Sequence, residues 1–198
     1  GAINAIAEDN FNLYFATDNG VFRYDKAMED FSYDYTLSVQ LEFPKIRHMV
    51  YDSYRDYFWV VHIGGLSYKS SVSSIWRKRS LSNSGIFSYN EIDDIGVSPK
   101  FIWIRSMDNL YPFDPFSATA ANSEDAQNEI DFIKWGYSQY GIAGENLDIS
   151  SYTINGDWQV GINNITHKDG RNIYATLYME DENGNKWFGS SEGYILKG

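Results

Sequence analysis

Trp187-Phe188-Gly189-Ser190-Ser191-Glu192-Gly193-Tyr194 is one of four copies of a phrase that decides how this chain is read. The others are Tyr14-Phe15-Ala16-Thr17-Asp18-Asn19-Gly20-Val21, Trp59-Val60-Val61-His62-Ile63-Gly64-Gly65-Leu66 and Trp103-Ile104-Arg105-Ser106-Met107-Asp108-Asn109-Leu110. Each runs from an aromatic through small or β-branched residues to a polar turn, then to an apolar residue. The leading aromatics stand at 14, 59, 103 and 187, spaced by 45, 44 and 84, the last being twice 42. A period of that length marks stacked supersecondary units, of which propeller blades and helical solenoids are the common kinds.

Strand-period alternation around each copy selects the propeller. In the first unit Ile3 to Glu8 reads as strand A, Leu13 to Thr17 as B, Val21 to Tyr24 as C and Phe31 to Val39 as D, with Asn, Asp and Gly at the turns. The second repeats the order over Ile46–Tyr51, Tyr57–Val61, Leu66–Lys69 and Ser74–Arg79. The third gives Glu91–Val97, Phe101–Arg105 and Leu110–Phe113, after which Ser117 to Glu129 reads as a surface loop. The last gives Ile173–Met179, Lys186–Ser190 and Gly193–Leu196, with Asn183-Gly184 as a tight hairpin turn. No copy shows the 3.6-residue period a solenoid of helices needs. A β-sandwich is the rival, but recurrence of a whole phrase favours blades. The expected fold is therefore all-β: a β-propeller of four recognisable four-stranded meander units and one degenerate unit. The blades fall at about 1–40, 41–85, 86–128, 129–160 (irregular) and 161–198 (incomplete, lacking a strand D). The unfinished last blade leads to the expectation that the chain is a section of a larger propeller.

Composition agrees. Aromatics make up 17% of the chain, and large rings suit pleated, half-buried strands. The net charge of -11 repels phosphate backbones and anionic membrane surfaces, so nucleic acid and membranes are poor partners. The absence of cysteine excludes disulfides, thiol catalysis and Cys-ligated zinc. No apolar run is long enough for a membrane-spanning helix.

The stretch Asp181-Glu182-Asn183-Gly184-Asn185-Lys186-Trp187-Phe188-Gly189-Ser190-Ser191-Glu192-Gly193 resembles the two-component regulator propeller repeat, and Asn12 to Asp25 is similar to it. The second copy keeps Trp59 and Gly64-Gly65-Leu66 but carries His62 where Thr is usual; the third keeps Trp103 and replaces the Gly with Asn109. The resemblance covers about half the chain, in four patches. It implies a periplasmic, cell-surface or secreted bacterial protein that binds or scaffolds and is not an enzyme. A glycan-sensing domain of a hybrid two-component system is the alternative it offers.

Few residues carry chemistry by type and spacing. His48, His62 and His167 lie in different units with no metal-ligand spacing, so no metal or other cofactor is expected. The acidic run Glu180 to Asn185 lacks the residue order of an EF-hand loop. Asp93-Asp94 and Asp52…Asp56 are candidates for a glycosidase acid pair by residue type only, so no catalytic residue is assigned. Trp76-Arg77-Lys78-Arg79 is basic but reads as a solvated outer strand. Meander topology gathers the B–C turns at one mouth, which makes Asp18, Asn19, His62, Ser106, Asp108 and Glu192 candidate ligand contacts. Trp135, Tyr137, Tyr140 and Trp158, in the irregular unit, are candidate aromatic contacts, because loops on a rigid scaffold carry binding residues. The expected partner is a protein or an oligosaccharide.

Overall fold

The computed structural model describes residues 1–39, 41, 45–81, 85–86, 88–117 and 123–198. The first sheet is a meander of β1 (Ile3–Glu8), β2 (Asn12–Thr17), β3 (Gly20–Asp25) and β4 (Asp30–Tyr33). The second is a meander of β5 (Ile46–Asp52), β6 (Tyr57–His62), β7 (Gly65–Ser70) and β8 (Arg77–Arg79). The third holds β9 (Asp94–Val97), β10 (Ile102–Ser106) and β11 (Asn109–Phe113). Two short strands follow, β12 (Lys134–Trp135) and β13 (Tyr137–Ser138). The last sheet is ordered β14 (Trp158–Val160), β15 (Asn164–His167), β16 (Asn172–Glu180), β17 (Lys186–Ser190), β18 (Ile195–Lys197). The fold is all-β and built of antiparallel blades, as the phrase implies.

The phrase aromatic has one job in every blade. Trp59, Trp103 and Trp187 are almost fully buried, and Tyr14 is nearly so. Each sends its polar hydrogen back to a residue at the end of its own strand A or in the A–B turn. Tyr14 Oη donates to Asp9 (2.6 Å), Trp59 Nε1 to Asp52 (3.1 Å), Trp103 Nε1 to Ser98 (2.8 Å) and Trp187 Nε1 to Asp181 (2.8 Å). A buried indole N–H without an acceptor costs about 1–3 kcal/mol, so the turn residue and the ring act as one unit.

Apolar clusters give the spatial order last–first–second–third. Ala5, Tyr14, Leu37, Met49 and Phe58 join the first sheet to the second. Val50, Trp59, Ile95 and Ile104 join the second to the third. Ile3, Phe15, Leu177 and Trp187 join the last to the first. The two outward faces of this arc are covered by the connector between the third and last sheets. Ala126, Ile130, Ile133 and Trp135 lie on Phe101 and Trp103, while Leu147, Ile149, Tyr152 and Ile154 lie on Ile165 and Phe188.

Strand D of the first unit is shorter than its alternation suggests. Asp34 Oδ1 accepts from Leu37 N and stops the strand by capping a one-turn helix, α1 (Tyr35–Ser38). Likewise strand A of the third unit begins at Asp94, after a 3-10 turn over Tyr89–Glu91. The loop expected over 117–129 contains α2 (Ser123–Gln127), and its residues 118–122 lie outside the described residues.

The stretch 129–160 forms no sheet of its own among the described residues. Instead β12 pairs with the inner edge of β9 through Lys134↔Val97 and Trp135↔Gly96, and β13 pairs with the inner edge of β1 through Ala5↔Ser138 and Ile6↔Tyr137. Between them Gly136 N donates to Ile95 O (2.8 Å), and a Cβ on Gly136 would lie 2.6 Å from Met49 O of β5. The segment 134–138 thus threads the centre of the arc and touches the innermost strands of three sheets. The physical reason is edge satisfaction: inner strands with unpaired backbone groups accept a short extended segment as an extra strand.

Candidate functional site

The B–C turns sit at the end of the arc where the A strands begin. Asp18 accepts from Asn4 Nδ2 at 2.9 Å and lies 3.5 Å from Lys45 Nζ. Met107 N donates to Asp93 at 2.8 Å, and a Cβ on Gly193 would approach Gly1 O. The turn residues differ sharply in availability. Asn19, Asp108 and Glu192 are exposed. His62 is buried, with Nε2 2.6 Å from Ser67 Oγ and Nδ1 accepting from Gly64 N, and Ser106 is buried too. The His62 ring holds its turn and offers little to a ligand.

The four irregular-unit aromatics separate into three places. Trp158 packs against His167 and Tyr194, with the Arg171 guanidinium 5.4 Å from its ring, on the outer part of the last sheet. Tyr140 lies at the mouth under Arg47, 3.8 Å from ring centre to guanidinium carbon. Trp135 and Tyr137 come together in a cleft of ≈ 600 Å³ that runs along the central segment between the third sheet's Asp94 and the last sheet's Tyr178. Ile142, Leu147, Glu145 and Asp148 complete its walls, and Lys134 stands at one end.

Half-buried rings, the buried Asp94 and the exposed Glu145 and Asp148 therefore border one concavity. Burial, with the Glu8 and Glu180 carboxylates, raises the Tyr137 phenol above its usual range. Burial and a 3.3 Å hydrogen bond to Glu180 do the same for Tyr178. Both stay neutral and present an apolar face with a polar rim. Asp94 is the most perturbed acid here: burial pushes its carboxyl up to about 6, outweighing its ion pair with Arg105. A Cβ on Gly141 would displace the Asp94 carboxylate, and Ile142 N donates to Asp94 Oδ2 at 3.4 Å. Asp52, the other sequence candidate for acid chemistry, is fully buried and spent on Trp59 and Arg55; Asp56 accepts from Tyr51 and Ser71.

Sequence reasoning missed Tyr178, Glu145 and Arg47 as neighbours of these aromatics. Tyr178 sits in a regular strand, and nothing in its spacing marks it as facing the connector. Among the described residues no cluster of three or more His, Asp or Glu is arranged to hold a metal ion, and no helix is long and apolar enough to cross a membrane.

No known protein family matches the chain, and no curated protein matches it. Among solved structures it is similar to the extracellular domain of the putative hybrid two component system BT3049 from B. thetaiotaomicron, with TM-score 0.40 and 15% identity, over 96% of this chain and 36% of that one. It is also similar to the extracellular domain of the putative one component system BT4673 from the same organism, with TM-score 0.42 and 14% identity, over 97% of this chain and 26% of that one. The chain spans about a third or less of the structures it matches.

Proposed function

We propose that this chain is a non-catalytic binding module of an exported bacterial protein, and that its ligand enters the cleft beside the central segment. The observation that carries the reading is the convergence of Trp135, Tyr137 and Tyr178 with Asp94 and Glu145 on one recessed wall. Flat rings stack on the apolar faces of sugar rings, and carboxylates accept from their hydroxyls. An oligosaccharide therefore fits this wall better than a broad protein surface does, and glycan sensing is the finer form of the proposal. The resemblance of the phrase to the two-component regulator propeller repeat supports a periplasmic or cell-surface setting.

One observation favours a second reading. An acid held near 6 beside another carboxylate is a pattern general acids share, so Asp94 with Glu145 is the pair a propeller glycosidase would use. Titration with neutral oligosaccharides, followed by tryptophan fluorescence, separates the two. Binding that weakens ~10-fold in Trp135→Ala, with no sugar released, supports the module. Release of reducing sugar that Asp94→Asn abolishes would make the protein an enzyme. Binding unchanged in Trp135→Ala would remove the cleft from the account.

A further inference from the structure

The A strands of three sheets carry the same irregularity at the same place. Register slips between Ile3 and Ala5 in β1, between Ile46 and His48 in β5, and between Ala175 and Leu177 in β16. The bulged residues are Asn4, Arg47 and Thr176, and a bulge re-aims the side chain it carries. Two of the three do the same work. Thr176 Oγ1 donates to Ile3 O at 3.1 Å, and Asn4 Nδ2 donates to Ile46 O at 3.0 Å. Each ties its sheet to the next through the carbonyl just before that sheet's own bulge.

By the same geometry Arg47 would donate to Ile92 O. Ile92 precedes Asp94 by two residues, and Asp94 pairs with Arg105 as Ala5 pairs with Ala16 and His48 with Val61. That carbonyl is already taken by His48 Nε2 at 2.9 Å. Arg47 is left over. Its Nε is buried with no hydrogen-bond partner, and among the described residues its guanidinium makes no hydrogen bond or ion pair, only the stack on Tyr140. Arg79 and Arg105 also bury an Nε without a partner, but their Nη groups are bonded, as are the donors of Arg55. Arg55 donates to Asp52 and the Ser98 carbonyl, Arg79 to the Asp114 carbonyl, and Arg105 to Asp94. In a chain with 27 acidic against 16 basic residues, acceptors are abundant, yet this one guanidinium is kept from them. Its Nε is the buried donor, costly to leave unpaired, and its Nη groups have no protein partner among the described residues.

The free donors line a cavity of ≈ 140 Å³ bounded by Lys45, Ile63, Tyr89, Asn90 and Tyr140. That volume is below the range of whole-ligand pockets and suits a charged group of a few atoms. We propose that it is a binding site for an oxyanion: a carboxylate, sulfate or phosphate group, free or carried by a larger ligand. The Arg47 fork would bind it bidentately, Tyr140 would hold the fork in plane, and Lys45, which stands 3.5 Å from Asp18, would turn from that partner to supply a second positive charge. This site does not depend on the cleft reading.

The test is calorimetric titration of the 198-residue chain at constant ionic strength with sodium sulfate, sodium phosphate and sodium acetate. One of them is expected to bind with one-to-one stoichiometry. Arg47→Ala should weaken it ~10–100-fold, Arg47→Lys should weaken it less, and the exposed Arg23→Ala should leave it unchanged. Tightest binding of acetate assigns a carboxylate; tightest binding of sulfate or phosphate assigns a tetrahedral anion. Crystals soaked in selenate give a readout independent of variant folding, with an anomalous peak expected within hydrogen-bond distance of Arg47. Equal affinity in wild type and Arg47→Ala, no binding of any of the three anions, or a selenate peak only elsewhere would overturn the proposal.

Discussion

Gly136→Ala tests the central segment with a single methyl group. The added Cβ would sit 2.6 Å from Met49 O and 3.3 Å from Ile95 O, and both are backbone atoms that cannot rotate away. Carbon and oxygen do not approach so closely, so either β5 or the segment must shift by several tenths of an ångström. A shift of the segment stretches the 2.8 Å bond from Gly136 N to Ile95 O. The φ of Gly136 is not in the left-handed region, so alanine carries no intrinsic backbone penalty there. Restricting the unfolded chain would even stabilise by about 0.4–1 kcal/mol. Against that stand an overpacking cost of about 1–3 kcal/mol and a weakened hydrogen bond of about 1 kcal/mol. The net expectation is destabilisation of roughly 1–3 kcal/mol, read in urea as a lower midpoint at unchanged slope, and a Tm lower by roughly 3–10 °C. Amide exchange should quicken most at Gly136 and at Gln139, whose N–H donates to Asn4 O. A midpoint and exchange pattern equal to wild type would refute the placement of this segment against β5.

Asp181→Ala removes the acceptor for Trp187 Nε1, Asn183 N and Asn185 N at once, and should cost about 2–4 kcal/mol in urea unfolding; a loss below about 0.5 kcal/mol would deny the ring–turn unit its role. Asp181 also stays below the usual carboxylate range, because although burial pushes it up, those hydrogen bonds outweigh burial. Asp94 works in the opposite sense. Its folded value of about 6 lies above the unfolded value of about 4, so the folded state holds the proton longer, and stability from this group is present below pH ~4 and lost as pH rises through ~6. Asp94→Asn should remove on the order of 2 kcal/mol of that dependence, with the variant and wild type compared at each pH; identical pH profiles would contradict it. Burial drives His48 down to about 3, and because Ile92 O only accepts, Nε2 carries the proton while Nδ1 accepts from Ser138 Oγ at 2.8 Å. Nitrogen chemical shifts should show that tautomer with no titration between pH 5 and 8; a midpoint near 6.5 would mean the ring is solvated.

The phrase carried the blades because each ring is buried between its own sheet and the layer packed on it, a neighbouring sheet for Tyr14, Trp59 and Trp187 and the connector for Trp103, so one aromatic per period is enough to see. The polar partner of each ring is invisible at that level. Asp9, Asp52, Ser98 and Asp181 stand five, seven, five and six residues before their rings, since the A–B turns differ in length. Strand alternation overran at Tyr33 because Phe31, Tyr33, Tyr35 and Leu37 fit a strand face as well as a capped helical turn, and Asp34 decides between them. Trp135 and Tyr137 were legible as aromatics on irregular backbone. Their destination was not, because β12 and β13 are two residues long and their partners, β9 and β1, are far away in sequence. Arg47 was hidden for another reason: a bulge leaves no mark on the apolar pattern, and only the register shows which side chain it turns outward.

The claim that residues 134–138 thread the axis and pair with the first sheet is open to a direct measurement. The chain has no cysteine, and Ala5 and Ser138 are register partners, so Ala5→Cys with Ser138→Cys creates the only thiol pair. Antiparallel partners are close enough for a disulfide with little backbone movement. Mild oxidation of the folded double variant should consume both thiols within single molecules and raise Tm. Two thiols that stay free in the folded protein under the same oxidation would contradict the account.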